Sequence, residues 1–450
     1  MSDLSPIVGA YDIRGVVPAQ LDVEVAHALG CAAAVELGGT EMVVGRDMRP
    51  SSEALAEAFM RGVRSQGVGT VDIGLASTDM LYYASGSLAS PGAMFTASHN
   101  PARYNGIKLC RAGAEPVSRD TGLAAIKALA EASPLPAAAG GAGHRAADML
   151  EPFAQHVRSF VDTESLASLK VAIDAGNGMA GHVVPAVFDG LAIEVVPLYF
   201  ELDGTFPNHP ADPLDPDNLV DVAKAVRDEG CDIGLAFDGD ADRVFCVDET
   251  GAPVSPSIVT AAIADRLLDK EPGATVLHNL ICSRIVPETI EAAGGRAVRT
   301  RVGHSYIKAV MAETNAVFAG EHSGHYYFRD NFRADSGLIA AVVLLEALGD
   351  TDGAMSALAA PYDRYAASGE INVTVADQAA ATARVAEALA TRGSPERIDG
   401  LTVAARDWWL NLRASNTEPL LRLNVEAVDR QTVARIVDEV LAIVADEELT

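Results

Sequence analysis

Four short segments of this 450-residue chain gather residue types that can do chemistry. TASHNP (96–101) ends a strand-like GAMF run. It brings together a hydroxyl (Ser98), an imidazole (His99), an amide (Asn100) and a helix-compatible Pro101. Ligand loops sit at such strand ends in open parallel sheets, although the same letters also make an ordinary turn with a helix cap. DGDADR (238–243) alternates Asp238, Asp240 and Asp242 with small residues. A tight turn can aim all three carboxylates at one hard cation, and without a cation their packing would be opposed by mutual repulsion. Octahedral Mg²⁺ bound this way keeps positions open for a phosphate oxygen, and Arg243 can hold another. GEHSGH (320–325) offers Glu321, Ser323 and His325 to sugar hydroxyls, which need donors and acceptors. His322 and His325 also allow a metal, but a third soft ligand is missing nearby, which argues against zinc. RASNTEP (413–419) combines Arg413, Ser415, Asn416 and Thr417, a donor set suited to a phosphate dianion that also reads as a plain polar turn.

The surrounding sequence must form elements that bring these segments together. EMVVG (41–45) is β-like and precedes a helical pattern for which SSEAL supplies the expected cap, Ser51. LKVAIDAGNGMAG opens a second unit as strand, Gly-rich turn and helix, which CDIGLAFDGDADRVFCVDETG completes. A third unit alternates helices with ATVLHNL, GRAVRTRVG and AVFAGEHSGHYYF. In the last unit INVTVA and LTVAARDWWLNLRAS read as antiparallel strands flanked by helices. The expected class is α/β. Three similar α/β domains with mixed sheets (1–150, 151–250 and 251–365) and a smaller α+β domain (366–450) are expected around a central cleft.

Apolar residues form 49% of the chain and charged residues 21%, the balance of a folded globular protein. Asp and Glu number 62 against 34 Lys and Arg, a formal charge of −28. With no basic run to offset it, that surface repels nucleic acid and anionic membrane. No apolar segment reaches bilayer-spanning length. The start, MSDLSPIVGAYDIRG, lacks a signal-like apolar core, and the five scattered cysteines contain no CxxC. The expected compartment is the cytoplasm.

Taken together and in order, YDIRG, TASHNP, DGDADR, GEHSGH and RASNTEP resemble the α-D-phosphohexomutases, in particular the bacterial phosphomannomutase/phosphoglucomutase branch. The resemblance covers essentially the whole chain. It implies a catalytic phosphoryl group on Ser98, and Mg²⁺ held by Asp238, Asp240, Asp242 and an oxygen on Ser98. Lys108 of NGIK takes the proton-transfer role, with Arg14, His99 and His304 as further catalytic side chains. Tyr11 and Arg243 lie at the substrate, Glu321 and Ser323 read sugar hydroxyls, and His325 lines the site. Arg413, Ser415, Asn416 and Thr417 clamp the non-reacting phosphate.

The implied reaction moves phosphate between O6 and O1 of a hexose through a 1,6-bisphosphate. Mannose phosphates are the leading substrate and the glucose pair accompanies them. Phosphoglucomutase and the glucosamine or acetylglucosamine mutases are alternatives. The amino-sugar enzymes usually carry glycine where this chain has Asn416. An Mg²⁺-dependent sugar phosphatase and a non-catalytic binder of phosphosugars are rivals from other classes. The resemblance further implies a monomer whose partner is a small phosphosugar. One departure stands out: NLICSR places Ile281 where several relatives carry a lysine, and Arg284 is the nearby cation available to compensate.

Overall fold

The computed structural model describes residues 3–445 apart from 133, 137, 139–141, 352 and 416–419. Its first three units share one core of four strands. In the first, Gly69–Leu75, Glu41–Arg46 and Gly92–Phe95 run parallel in that spatial order, and Tyr104–Arg111 completes it antiparallel. The second repeats this with Ile193–Leu198, Leu169–Asp174, Ile233–Phe237 and antiparallel Val244–Asp248. The third repeats it with Arg296–Thr300, Thr275–Asn279, Phe318–Gly320 and antiparallel Tyr326–Phe328. Short edge strands extend the first two sheets to seven and five strands. Covering helices bury the central strands on both faces, which explains runs such as Ile-Gly-Leu-Ala-Phe at 233–237, buried at every position.

The fourth unit is a five-stranded antiparallel sheet ordered Ala366–Thr374, Leu420–Ala427, Trp408–Ala414, Leu401–Ala404, Ser394–Glu396. Helices Gln378–Leu389 and Arg430–Ala445 cover it, burying Ala381, Val385, Leu389, Val433, Ile436 and Val440 at helical spacing. This unit has its own core, whereas one continuous apolar cluster runs from Val43 and Met94 of the first unit through Val171 of the second to Leu344 of the third. Three units therefore pack as one block, and the fourth is attached to it.

Capping residues lock the block together. Ser336 caps helix Gly337–Gly349, buried through Leu348, accepting from Ile339 N–H (3.1 Å), and its hydroxyl donates to Asp79 Oδ2 of the first unit (2.6 Å). Ser51 departs from the expectation at helix Ser52–Ser65, because its side chain makes no cap bond. Its Oγ instead accepts from Asn105 Nδ2 (2.8 Å), and Ser52 Oγ donates to Asp47 Oδ1 (2.5 Å). Tertiary partners have replaced the local one. No helix among the described residues is long and apolar enough to cross a membrane.

Candidate active site

Each four-strand core turns at the same place, between the third parallel strand and its antiparallel neighbour. Those three turns carry three of the four reactive segments: 96–103, 238–243 and 321–325. The shared topology brings them to one cavity of about 200 Å³, lined among others by Tyr11, Arg14, Ser98, His99, Lys108, Asp242, Arg243, His304 and His325.

Ser98 is 5% exposed and takes a left-handed backbone, φ +48°. Its N–H donates to Thr96 Oγ1 (3.0 Å) and its hydroxyl to Asp238 Oδ2 (2.6 Å), 140 residues away. Asp238, Asp240 and Asp242 are buried, with one carboxylate oxygen of each inside a 4.8 Å group. Lys108 Nζ stands 2.7 Å from Asp240 Oδ2 and 2.5 Å from Asp242 Oδ2. Arg243 pairs with Asp238 Oδ2 at 2.9 Å. Thr78, at the start of helix Thr78–Ser87, donates to Asp240 Oδ2 at 2.5 Å. Even so, Asp240 Oδ1 and Asp242 Oδ1 are buried without a hydrogen-bond partner. Leaving such acceptors unpaired costs several kcal/mol, on the order of 2–7 per group. Three hard oxygen donors with two unpartnered lobes fit an Mg²⁺-type cation.

Charge states follow from burial and neighbours. Burial pushes the Asp238 carboxyl well up against the opposing pull of Arg243. Burial also opposes ionisation of Asp240, but Lys108 and Thr78 outweigh it and hold that carboxyl below the usual range. Burial likewise works against the Lys108 ammonium, yet Asp240 and Asp242 keep it protonated well above its ordinary range. His99 is pushed down to about 3 by burial and then by Arg243, which donates to His99 Nδ1 at 2.5 Å. That contact assigns the proton of the neutral ring to Nε2. His304, set edge-on to Tyr11 at 5.0 Å, is pushed down to about 3 by burial and by Lys308. These surroundings favour the neutral ring in both histidines.

The turn 321–325 adjoins the cavity. Glu321 is buried and accepts from Tyr327 Oη (2.7 Å) and Asn279 Nδ2 (3.3 Å). Ser323 Oγ lies 3.1 Å from His325 Nδ1, and His325 Nε2 lies 3.8 Å from Asp242 Oδ1. Arg413 and Ser415 stand apart from this cavity in the C-terminal unit. Arg413 is flanked at 3.7 Å by Glu370 and by Asp399, and Ser415 N–H donates to Leu420 O (2.9 Å). Asn416 and Thr417 lie outside the described residues.

Arg284, the cation expected to compensate at Ile281, is engaged between the third and fourth units. Its backbone N–H donates to Glu426 Oε1 (3.1 Å) and its guanidinium to Arg406 O (2.9 Å), where the third and fourth units meet. Ile281 lines a cavity of about 90 Å³ at that junction. Sequence reading also passed over Lys308 and Asp335, a buried pair at 3.2 Å whose ammonium lies 4.0 Å from the Tyr82 ring centre. Burial works against the Asp335 charge, but Lys308 and His325 hold its carboxyl down at about 2. Asp335 lines the cavity beside Asp242 and His325. Neither residue sits in a Gly-rich or repeated motif, so only the fold could show them.

A buried serine hydroxyl beside three clustered carboxylates able to hold a cation, ringed by Lys and Arg, is suited to phosphoryl transfer. The comparisons with known proteins agree. The chain matches the α/β/α domains I, II and III of phosphoglucomutase/phosphomannomutase over residues 5–135, 151–251 and 255–365, and the family's C-terminal domain over 370–443. It is 41% identical over 425 residues to phosphohexose mutases of Xanthomonas campestris pv. campestris, covering 94% of this chain and 95% of the relative. It is 39% identical over 430 residues to a phosphomannomutase of Salmonella montevideo, covering 93% and 94%. A crystal structure of a phosphoglucomutase/phosphomannomutase family protein from Burkholderia thailandensis superimposes with a TM-score of 0.90 at 32% identity, over 98% of both chains. The chain belongs to the phosphoglucomutase/phosphomannomutase family, within the α-D-phosphohexomutases. Its chemistry is reversible phosphoryl transfer on a hexose phosphate through a serine-and-metal site.

Proposed function

We propose that this enzyme interconverts mannose 6-phosphate and mannose 1-phosphate, and also the glucose pair, through phosphoserine 98 and a hexose 1,6-bisphosphate. The observation that carries this reading is the Ser98 hydroxyl 2.6 Å from Asp238, inside a buried acidic turn faced by Lys108 and Arg243. Asp238, Asp240, Asp242 and an oxygen on Ser98 hold Mg²⁺, which when bound neutralises charge on the transferring group. Arg243 stabilises the equatorial phosphoryl oxygens. Lys108, protonated against two aspartates, gives a proton to the serine oxygen as the phosphoryl leaves and is reprotonated by the proton that the attacking hydroxyl gives up.

Arg14 is fixed by Asp12 (2.6 Å) and by Asn100 of the serine loop, and with Tyr11 orients the attacking hydroxyl. Neutral His99 and His304 accept hydrogen bonds and shape the site. Glu321, Ser323 and His325 read ring hydroxyls. Arg413, Ser415, Asn416 and Thr417 hold the distal phosphate when the fourth unit closes, which also excludes water. The separate core of that unit supports such a motion. We further place the enzyme in the cytoplasm as a monomer. Five unpaired, buried cysteines suit a reducing compartment.

Mannose and glucose differ only at C2, and a site that turns its substrate over must accept that carbon in two places. Discrimination there is modest unless a buried polar group is left unpaired. The Salmonella relative carries the name phosphomannomutase, which supports mannose as the principal substrate. Phosphorus NMR with each hexose 1-phosphate, Mg²⁺ and a trace of glucose 1,6-bisphosphate tests this. A 6-phosphate resonance from both hexoses is expected, with little from N-acetylglucosamine 1-phosphate. Turnover of the amino sugar alone would move the enzyme to that branch. Release of inorganic phosphate without isomer exchange would make it a phosphatase.

A further inference from the structure

The turn that carries Ser98 is closed by a few bonds of its own, Asn100 N–H to Ala97 O (2.9 Å) and Tyr104 N–H to Pro101 O (2.9 Å) among them, and by a side chain from elsewhere. That side chain reaches four backbone carbonyls, of Ser98, Asn100, Pro101 and Tyr104. Arg49, 2% exposed, lies just beyond strand Glu41–Arg46. Its Nη2 donates to Ser98 O (2.8 Å) and Asn100 O (2.6 Å), and its Nη1 to Pro101 O (3.0 Å) and Tyr104 O (2.9 Å). Its Nε donates to Asp47 Oδ2 (3.2 Å), which uses all five guanidinium N–H groups. Asp47 balances the charge and is itself held by Ser52.

The second unit covers this guanidinium. Its loop brings the Phe206 ring to 5.1 Å from Arg49 Cζ, a cation–π contact. That approach is close enough to require Gly204, where a Cβ would lie 2.5 Å from Arg49 Cα. On the other side, Gly239 of the acidic turn lies against the Ser98 carbonyl, where a Cβ would meet its oxygen at 2.5 Å. The serine peptide is therefore gripped between Arg49 and the turn that carries the carboxylates.

We propose that Arg49 is a positioning residue for phosphoryl transfer, and that Phe206 holds it in place when the first and second units are packed. The proposal rests on the reading of Ser98 as the phosphoryl carrier. A lysine retains the charge but offers one nitrogen with three donors, and cannot bridge four carbonyls spread over residues 98–104. Without the fork, Ser98 Oγ is free to drift from Asp238. Misplacement of a reacting atom by about 1 Å costs on the order of 100-fold in rate.

The test phosphorylates wild type, Arg49→Lys and Phe206→Leu with glucose 1,6-bisphosphate, confirms the load by intact mass, and measures single-turnover transfer to mannose 1-phosphate alongside kcat, KM and Tm. Per phosphorylated, folded molecule, Arg49→Lys is expected to lower kcat and the transfer rate about 100-fold with KM within threefold. Phe206→Leu is expected to lower both about fivefold, since it removes only the stacked ring. A purely structural Arg49 would lower Tm and yield while leaving the transfer rate of the folded fraction within threefold, and that result overturns the proposal. If Arg49→Lys fails to fold, Phe206→Leu and Gly204→Ala decide on the same rate. Ser98→Ala is run in parallel: its retention of activity would sink the phosphoserine reading itself, whereas its inactivity beside a fully active Arg49→Lys sinks only the positioning role.

Discussion

The turns 238–243 and 321–325 occupy equivalent places in two cores of the same topology, yet they have become different devices. Every residue of 238–243 is buried, whereas His322, Ser323 and His325 of the second turn are partly open. The first carries three carboxylates and is faced by Lys108, Thr78 and Ser98 of the neighbouring unit as well as its own Arg243. The single carboxylate of the second, Glu321, accepts from the neutral donors Tyr327 and Asn279 of its own unit. Three carboxylates buried side by side repel one another and need cations nearby, and one of those cations, Lys108, comes from the neighbouring unit, whereas a single buried carboxylate can be held by neutral donors. The open turn needs no such cation and can present its groups to a ligand. The same hairpin position is thus buried and strongly charged in one unit and partly open in the other, according to what packs over it.

The largest expected effect comes from removing what the acidic turn serves. Ser98→Ala should lower kcat by at least about 10⁴-fold while the fold persists, measured by coupled isomerase assay and circular dichroism. Asp240→Asn comes next. It should cost about 10³-fold in kcat and raise the Mg²⁺ concentration needed for half-maximal rate. An unchanged Mg²⁺ dependence would remove Asp240 from the cation site and end the contrast between the two turns. Glu321→Gln should lower kcat/KM for mannose 1-phosphate by roughly 10- to 100-fold, with the Mg²⁺ requirement unaltered. If it shifted the metal requirement as Asp240→Asn does, the two turns would not divide the work as described.

The smallest effect is on stability. His304 is held at about 3 by burial and Lys308, against an ordinary value of 6.5. Below pH 6.5 the unfolded chain therefore takes up a proton that the folded chain refuses. Stability from this group is complete above that pH and falls as pH drops toward 3, by about 1.4 kcal/mol per unit. Chemical denaturation between pH 5 and 7 should show a shallower rise with pH in His304→Gln than in wild type. Equal slopes would mean that the imidazole binds protons alike in the folded and unfolded chain.

Much of the fold and site could be read from the chain because its signals are local. Strand-to-loop runs such as GAMFTASHN and LAFDGDADR mark where a sheet must deliver polar groups, and the antiparallel pattern after Gly369 separated the last unit from the other three. The five segments in order were enough to point to the family. Local letters did not reveal the partners. Ser51 looked like a cap until Asn105 claimed its hydroxyl. The sequence could not show that Arg284 bonds to Glu426 and Arg406 of the last unit.

What the sequence alone determined, then, is which turns carry reactive groups and which chemistry those groups allow, since both depend on residue type and short spacing. Tertiary structure decided how each group is charged, held and covered. Lys108 meets Asp240 across 132 residues, Ser98 meets Asp238 across 140, and Ser336 reaches Asp79 across 257. Contacts at those separations leave no periodic trace in the chain. The electrostatic energy that sets Lys108, His99 and Asp335 comes from burial and neighbours that exist only once the units have packed.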